Sequence, residues 1–256
     1  MKLKKLIYLH IILLCSFITL QAQNSNVYNF ETTNGTLTIQ PIFHGSLVLT
    51  YKNTTIYVDP YGGQKLYANL KSPDIVLMTD IHPDHLNLST LDSINTKNAL
   101  FITPQAVADK LPEKYKSTIS IINNNQAIHR LGIYIKAIPM YNLPVDPPSK
   151  KHPKGRGNGY LLKIDNKTIY ISGDTEDIPE MRQLRNIDIA FVCMNLPYTM
   201  TVDQAASAVL EFQPKVVFPF HYRGANGYSD VDKFKKLVND KNQKIEVILA
   251  EWYPKN

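Results

Sequence analysis

Cysteine is almost absent: the 256 residues hold two, Cys15 and Cys193. Cys15 lies in an N-terminal leader, so a processed chain keeps one thiol, and an intramolecular disulfide is excluded even in the oxidising compartment that export implies. Leu14, rather than a small residue, precedes Cys15, which argues against lipoprotein processing. Phe191 and Val192 mark Cys193 as a core residue instead of a nucleophile. Long apolar runs are missing apart from Leu6 to Leu20, which follows the charged start Lys2, Lys4 and Lys5 and precedes Gln21-Ala22-Gln23. That order is the pattern of an export signal. The run falls short of the about 20 residues of a membrane span, so the expected organisation is a signal peptide over 1–22, cleaved after Ala22, and one domain over 23–256. The product is expected in the periplasm or secreted, with no stable membrane span after cleavage; an uncleaved anchor is the alternative. Acidic residues are lacking in the leader, so the formal charge of +6 overstates the basicity of the remainder. Its cations are scattered and accompany no groove-reading motif, which excludes nucleic acid as an expected partner. No short repeat or low-complexity tract interrupts the chain, and a hydrophobic content of 44% suffices for one packed core.

What is present is an alternation of short β-rich runs and helical segments. Thr36 to Ile39, Ser46 to Thr50 and Thr55 to Val58 read as an antiparallel meander, punctuated by Gly45 and by Lys52-Asn53. A buried strand over Asp74 to Met78 leads straight into a polar cluster. Leu100 to Thr103, a helix over Pro104 to Leu111, and strands at Ile119 to Ile122 and Ile133 to Ile138 come next. The second half repeats this logic, with strands near Tyr160 to Ile164, Thr168 to Ser172, Ile187 to Cys193 and Val216 to Phe220. Thr201 and Gln204 form a capping box for a helix to Phe212, whose stripe Val202, Ala205, Ala206, Val209 and Leu210 belongs to the core. A last helix is expected from Ser229, and a strand at Ile245 to Leu249 closes the chain. Residues 144–159 form a long loop rich in Pro, Lys and Gly. Strands and helices alternating through both halves predict a layered α/β domain.

The chemistry concentrates in Thr79-Asp80-Ile81-His82-Pro83-Asp84-His85. If the stretch is extended, Asp80, His82 and Asp84 face one way and His85 enters from the next turn. Imidazoles suit zinc and iron, and carboxylates add charge and harder oxygen donors; a solvated polar loop is the bland alternative. Two distant segments add to it. Ile171-Ser172-Gly173-Asp174 puts a carboxylate at the end of a β-rich run, and Phe218-Pro219-Phe220-His221 does the same with an imidazole. Taken singly, Asp174 reads as a turn residue and His221 as a core histidine; the three segments together read as a metal site.

That set resembles the metallo-β-lactamase superfamily, and especially its branch of lactonase-like and uncharacterised metal-dependent hydrolases. Phe43-His44-Gly45-Ser46 and Val58-Asp59-Pro60 are similar to that branch's opening strands, residues 80–85 to its HxHxDH motif, and His152-Pro153-Lys154-Gly155, Gly159-Tyr160 and Tyr198-Thr199-Met200 to later features. The resemblance covers most of the mature chain. It implies an αββα sandwich, two mixed β-sheets flanked by helices, with one or two divalent ions at one edge. Two departures stand out: the first motif histidine is Asp80, and the histidine between the motif and the bridging aspartate has no clear equivalent, Asn142 standing about where it would fall. The implied ligand set is Asp80, His82 and Asn142 for one ion, Asp84, His85 and His221 for the other, and Asp174 between them; an amide is a weak donor, and from the residues themselves Asn142 reads first as a turn residue. Zinc is the expected metal, and an oxygen donor at 80 tilts preference towards manganese or iron.

The resemblance further implies a hydrolase in which a metal activates water, with Asp84 and Asp174 catalytic, Asp84 orienting the water or moving its proton. An ester, lactone or phosphodiester is the expected substrate class. A non-catalytic metal- or ligand-binding protein of the same fold is the alternative. His44, His152 and Tyr198 are expected to contact substrate or to support ligands. Lys150, Lys151, Lys154 and Arg156 make the long loop basic, which would suit an anionic small molecule, although a solvated surface explains such a run equally well.

Overall fold

The computed structural model describes residues 26–146, 149 and 151–253. The expected signal peptide, Cys15 and Lys150 lie outside the described residues. β1 (Tyr28–Thr32), β2 (Gly35–Phe43), β3 (Ser46–Tyr51) and β4 (Thr54–Val58) pair antiparallel in order. β5 (Ile75–Leu77), β6 (Leu100–Thr103) and β7 (Ile119–Ile121) then add in parallel and complete a seven-stranded sheet. Parallel neighbours need crossovers. These contain a 3-10 turn (Gln64–Tyr67) and the short helices α1 (Leu88–Ser93), α2 (Gln105–Ala108) and α3 (Glu113–Lys116).

The second sheet has the same plan. β8 (Ala127–Arg130), β9 (Ile133–Met140), β10 (Gly157–Ile164) and β11 (Lys167–Ile171) are antiparallel. α4 (Pro179–Arg182) leads to β12 (Ile189–Cys193), and α5 (Val202–Phe212) to β13 (Val216–Phe220). After the small hairpin β14 (Arg223–Gly224) and β15 (Gly227–Tyr228), α6 (Val231–Asn239) leads to β16 (Glu246–Val247), with β11, β12, β13 and β16 all parallel.

Two sheets flanked by helices give the expected αββα architecture, and period-two burial explains it. In β5, Ile75 and Leu77 join the large apolar cluster shared with the second sheet, while Val76, and Met78 just beyond the strand, face outward onto Leu91, Val107 and Leu111. Tyr160 of β10 is buried in that shared core, and its hydroxyl donates to the carbonyl of Met78 at 2.7 Å. α5 carries the expected capping box and buries Val202, Ala205, Ala206 and Val209.

Several boundaries move for local reasons. Asp74 stops short of β5 because its carboxylate accepts the Thr55 backbone N–H at 2.8 Å. α6 is capped by Asp230, which accepts from the Lys233 N–H, because the Ser229 hydroxyl donates instead to the Met194 carbonyl. The helix expected to reach Leu111 is only Gln105–Ala108, and the closing strand only Glu246–Val247. Among the described residues no helix is long and apolar enough to cross a membrane.

Candidate metal centre

Parallel strands present functional groups on the loops at their carboxyl ends, and several such ends converge here. The chain leaves β5 into the 79–85 turn, β11 into Asp174, β12 into Asn195 and β13 into His221. The β2 to β3 turn supplies His44, and Asp59 comes directly after β4. Left-handed backbone at Gly173 (φ 61°) turns Asp174 inward, and a Cβ there would lie 2.5 Å from Met140 Sδ. Gly45 makes room for His221, whose Cδ2 would be 2.9 Å from a Cβ at that position.

The motif is not the extended stretch expected from its alternation. The backbone N–H groups of His85 and Leu86 both bond to the His82 carbonyl, so residues 82–86 form a tight turn. It splits the motif: Asp80 and His82 face one way, Asp84 and His85 the other.

On the first side, His82 Nδ1 lies 2.7 Å and His152 Nε2 3.9 Å from Asp80 Oδ2. On the second, His221 Nε2 is 3.2 Å from His85 Nε2, 3.3 Å from Asp174 Oδ1 and 3.5 Å from Asp84 Oδ2, and His85 Nε2 is 3.3 Å from Asp174 Oδ2. Asp174 joins the two, because its Oδ2 is also 3.4 Å from His152 Nε2. Bonds of about 2.0 to 2.2 Å in a tetrahedral array put ligand atoms roughly 3.3 to 3.6 Å apart, so this spacing fits a cation. His152 Nε2 and Asp174 Oδ1 are buried without a hydrogen-bond partner among the described residues. One orphan faces each half of the centre, and buried polar atoms of this kind are costly unless something binds there.

The supporting contacts fix which nitrogens face inward. His85 Nδ1–H donates to Asp59 Oδ2 at 2.8 Å, which turns Nε2 towards the centre, and Asp59 is itself held by the Thr79 N–H at 2.8 Å. Asn142 Oδ1 stands 2.9 Å from His152 Nδ1 and also accepts from the His152 N–H and the Ser149 hydroxyl, while its Nδ2 donates to the Tyr198 carbonyl. With both ends of its amide engaged, Asn142 has no donor atom free for an ion. It orients His152, and His152 stands as the candidate ligand; the expectation of Asn142 as a ligand, and of His152 as a substrate or supporting contact, is corrected accordingly. His44 lies behind Asp84, Nε2 to Oδ2 3.2 Å, with its other nitrogen 2.7 Å from the Tyr253 hydroxyl.

The field of the centre is anionic. Burial disfavours the charge on His85, but Asp174, Asp59 and Asp84 outweigh it and raise its pKa well above the ordinary value. Burial likewise opposes ionisation of Asp174 and Asp84, yet facing histidines hold both below the usual carboxylate range. Asp80 is lowered against its own burial by His82, His85 and Arg156. Three carboxylates gathered around His85 mark a place that attracts cations. Burial lowers His44 to about 4 despite the adjacent Asp84.

A cavity of about 250 Å³ opens onto the centre, lined among others by His82, Asp84, Lys151, His152, Asn195 and Tyr198. Tyr198 stands at its wall, with Lys151 Nζ 5.1 Å from its ring centre. The other described cations of the loop are engaged: Lys154 with Glu180 at 2.7 Å, Arg156 with Asp80. Two residues here escape the sequence reading as site members: Asp59 and Asn195 are polar residues directly after buried runs, which is a usable signal. Arg156, read from the sequence as part of a basic loop suited to an anionic substrate, is instead paired with Asp80.

Residues 38–221 match the family model described as a beta-lactamase superfamily domain. A protein of Pyrococcus abyssi named a metal-dependent hydrolase is 30% identical over 196 residues, 73% of this chain and 85% of that one. A crystal structure from Parabacteroides distasonis, also described as a metal-dependent hydrolase, is 37% identical, with a TM-score of 0.78 over 89% of this chain and 99% of that one. The metallo hydrolase Igni18 of Ignicoccus hospitalis, 22% identical, shares the fold with a TM-score of 0.69 over 84% of this chain and 95% of its own.

Proposed function

Because the chain belongs to the metallo-β-lactamase superfamily, we propose that it is a metal-dependent hydrolase that cleaves an ester, lactone or phosphodiester bond in a small, anionic molecule. The observation that carries this reading is the meeting of His85, Asp174 and His221, from three separate segments, around one buried point with unpartnered polar atoms. His85, His221, Asp174 and Asp84 would hold one divalent ion, and Asp80, His82, His152 and Asp174 a second. Zinc suits the imidazoles, and the carboxylates admit manganese or iron. Such an ion supplies Lewis acidity and brings the pKa of water to about 7.

The chain's own groups do the rest. Asp84, its side chain 32% exposed, faces the cavity. Kept ionised by His85, His221 and His44, it is a poor store for a proton but a good acceptor of a hydrogen bond, and it orients the attacking water. Asn195 lines the cavity, and its Oδ1 accepts the Thr199 hydroxyl at 2.7 Å, so its Nδ2 donors are the part of the amide that would meet the developing negative charge of a substrate oxygen. Lys151, at the wall beside Tyr198, suits a carboxylate or phosphate on the substrate.

Elemental analysis of the purified mature protein, joined to turnover of a panel of lactones, aryl esters and bis(p-nitrophenyl) phosphate, tests the reading. Bound metal and turnover of at least one class are expected, with both lost in Asp174→Asn. Stoichiometric ligand binding without turnover by the metal-loaded protein would replace the hydrolase with a binding protein of the same fold.

A further inference from the structure

Arg156 makes the two halves of the centre electrically unequal. Its guanidinium meets Asp80 at two points, Nε 3.0 Å from Oδ1 and Nη2 2.9 Å from Oδ2, the fork geometry in which arginine holds carboxylates best. The pair is buried, Asp80 fully and the Arg156 side chain to 16% exposure. Oδ2 also faces His82 Nδ1 at 2.7 Å, so the carboxylate's lone pairs are largely engaged before any ion arrives. The approach is built into the backbone. The Asn158 N–H bonds to the Thr79 carbonyl at 2.9 Å, and a Cβ on Gly157 would lie 2.9 Å from that same carbonyl oxygen and 3.3 Å from Asp80 Oδ1.

Across the centre no fixed cation stands among the described residues that face His85, Asp174 and His221. Asp59 backs His85 at 2.8 Å, and Asp84 lies 3.5 Å from His221. The unshared carboxylates on that side are therefore Asp59 and Asp84, whereas on the other side Asp80 is balanced by Arg156. A divalent ion entering between Asp80, His82 and His152 must share an oxygen donor with a guanidinium and accept its repulsion at short range. Freeing the donor would strand a buried arginine, which is costly.

We propose that Arg156 weakens the Asp80–His82–His152 half selectively. The protein then holds one divalent ion tightly at His85, Asp174 and His221 and exchanges a second, whose occupancy tracks the free ion concentration. This rests on the reading of the centre as a metal site. It concerns affinity, so it is tested without turnover.

The test strips the mature protein with a chelator and titrates it with Zn²⁺ and with Mn²⁺ against a chromophoric competitor, monitoring unfolding in parallel. In the native protein two dissociation constants at least about tenfold apart are expected, a gap of about 1.4 kcal/mol. Arg156→Gln is expected to tighten the second ion several-fold and leave the first unchanged, and Arg156→Lys, which keeps the charge, to preserve most of the gap. His152→Gln should abolish only the weaker event and His221→Gln the tighter, which keeps the idea testable even if Arg156→Gln does not fold. Two equal constants in the native protein, an unchanged second constant in folded Arg156→Gln, or loss of the tighter event in His152→Gln would overturn the proposal. Binding of no ion by the native protein would instead sink the metal-site reading itself.

Discussion

The two sheets reach the same centre by different routes. The first delivers Asp80, His82, Asp84 and His85 from one turn after β5, and a single buried carboxylate, Asp59, braces that turn through both Thr79 and His85. The second delivers its groups singly: Asp174 after β11, Asn195 after β12, His221 after β13, and His152 from the loop between β9 and β10. Each of these has its own support, Gly173 for Asp174, Gly45 for His221, Thr199 for Asn195 and Asn142 for His152. One contribution is therefore a unit with a shared brace, and the other a set of parts whose defects stay local.

The sharpest way to break this contrast is on the second-sheet side. His152→Ala is expected to lower affinity for the ion in its half by more than about a hundredfold, beyond the roughly 10- to 100-fold of a lost supporting contact, while Asn142→Ala costs only about tenfold. Chelator competition reads both, and the reverse order would restore Asn142 as a ligand. Next comes the brace of the first sheet. Asp59→Asn is expected to weaken the ion at His85 by about 10- to 100-fold and to loosen Thr79 with it, seen as lower amide protection across 79–85; a loss confined to metal would show that the turn is not a unit.

A smaller effect tests His44, which bridges the two routes. Burial lowers its pKa from 6.5 to about 4, so below pH 6.5 the unfolded chain takes up a proton that the folded one refuses. Stability of the metal-free protein is expected to fall as the pH drops from about 6.5 to about 4, by an amount on the order of 2 kcal/mol. His44→Gln should flatten that stretch of the pH–stability curve in urea unfolding, and an unaltered slope would assign it elsewhere. The smallest change expected is at the seam between the sheets. Tyr160→Phe removes the hydroxyl bonded to the Met78 carbonyl and should cost about 1 kcal/mol, with ion affinities unchanged if the link is purely structural.

The same contrast governs how much of the centre is legible in the sequence. The turn at 80–85 is legible because its donors are contiguous, and Asp174 and His221 because each comes after a β-rich run that ends in buried residues. The meander of β2 to β4 and the capped helix α5 are legible from period and capping alone. His152 is hidden by the loop that carries it. The Asn142 N–H bonds to the His152 carbonyl at 2.9 Å, so ten residues of separation collapse into side-by-side neighbours, and the residue in the expected place proves to be the support. Donor chemistry points the same way, since an amide competes poorly with an imidazole for these ions. Arg156 was legible only as basic. Its partner is 76 positions away, and no local rule connects them.

The centre lies across the open rim of the sandwich, with Tyr160 tying the sheets farther in. A cation gripped from both sides there would act as a clasp, and its binding energy would enter the unfolding equilibrium directly. Chelators would then behave towards this molecule as mild denaturants, and melting temperature would serve as a gauge of how much metal its surroundings supply.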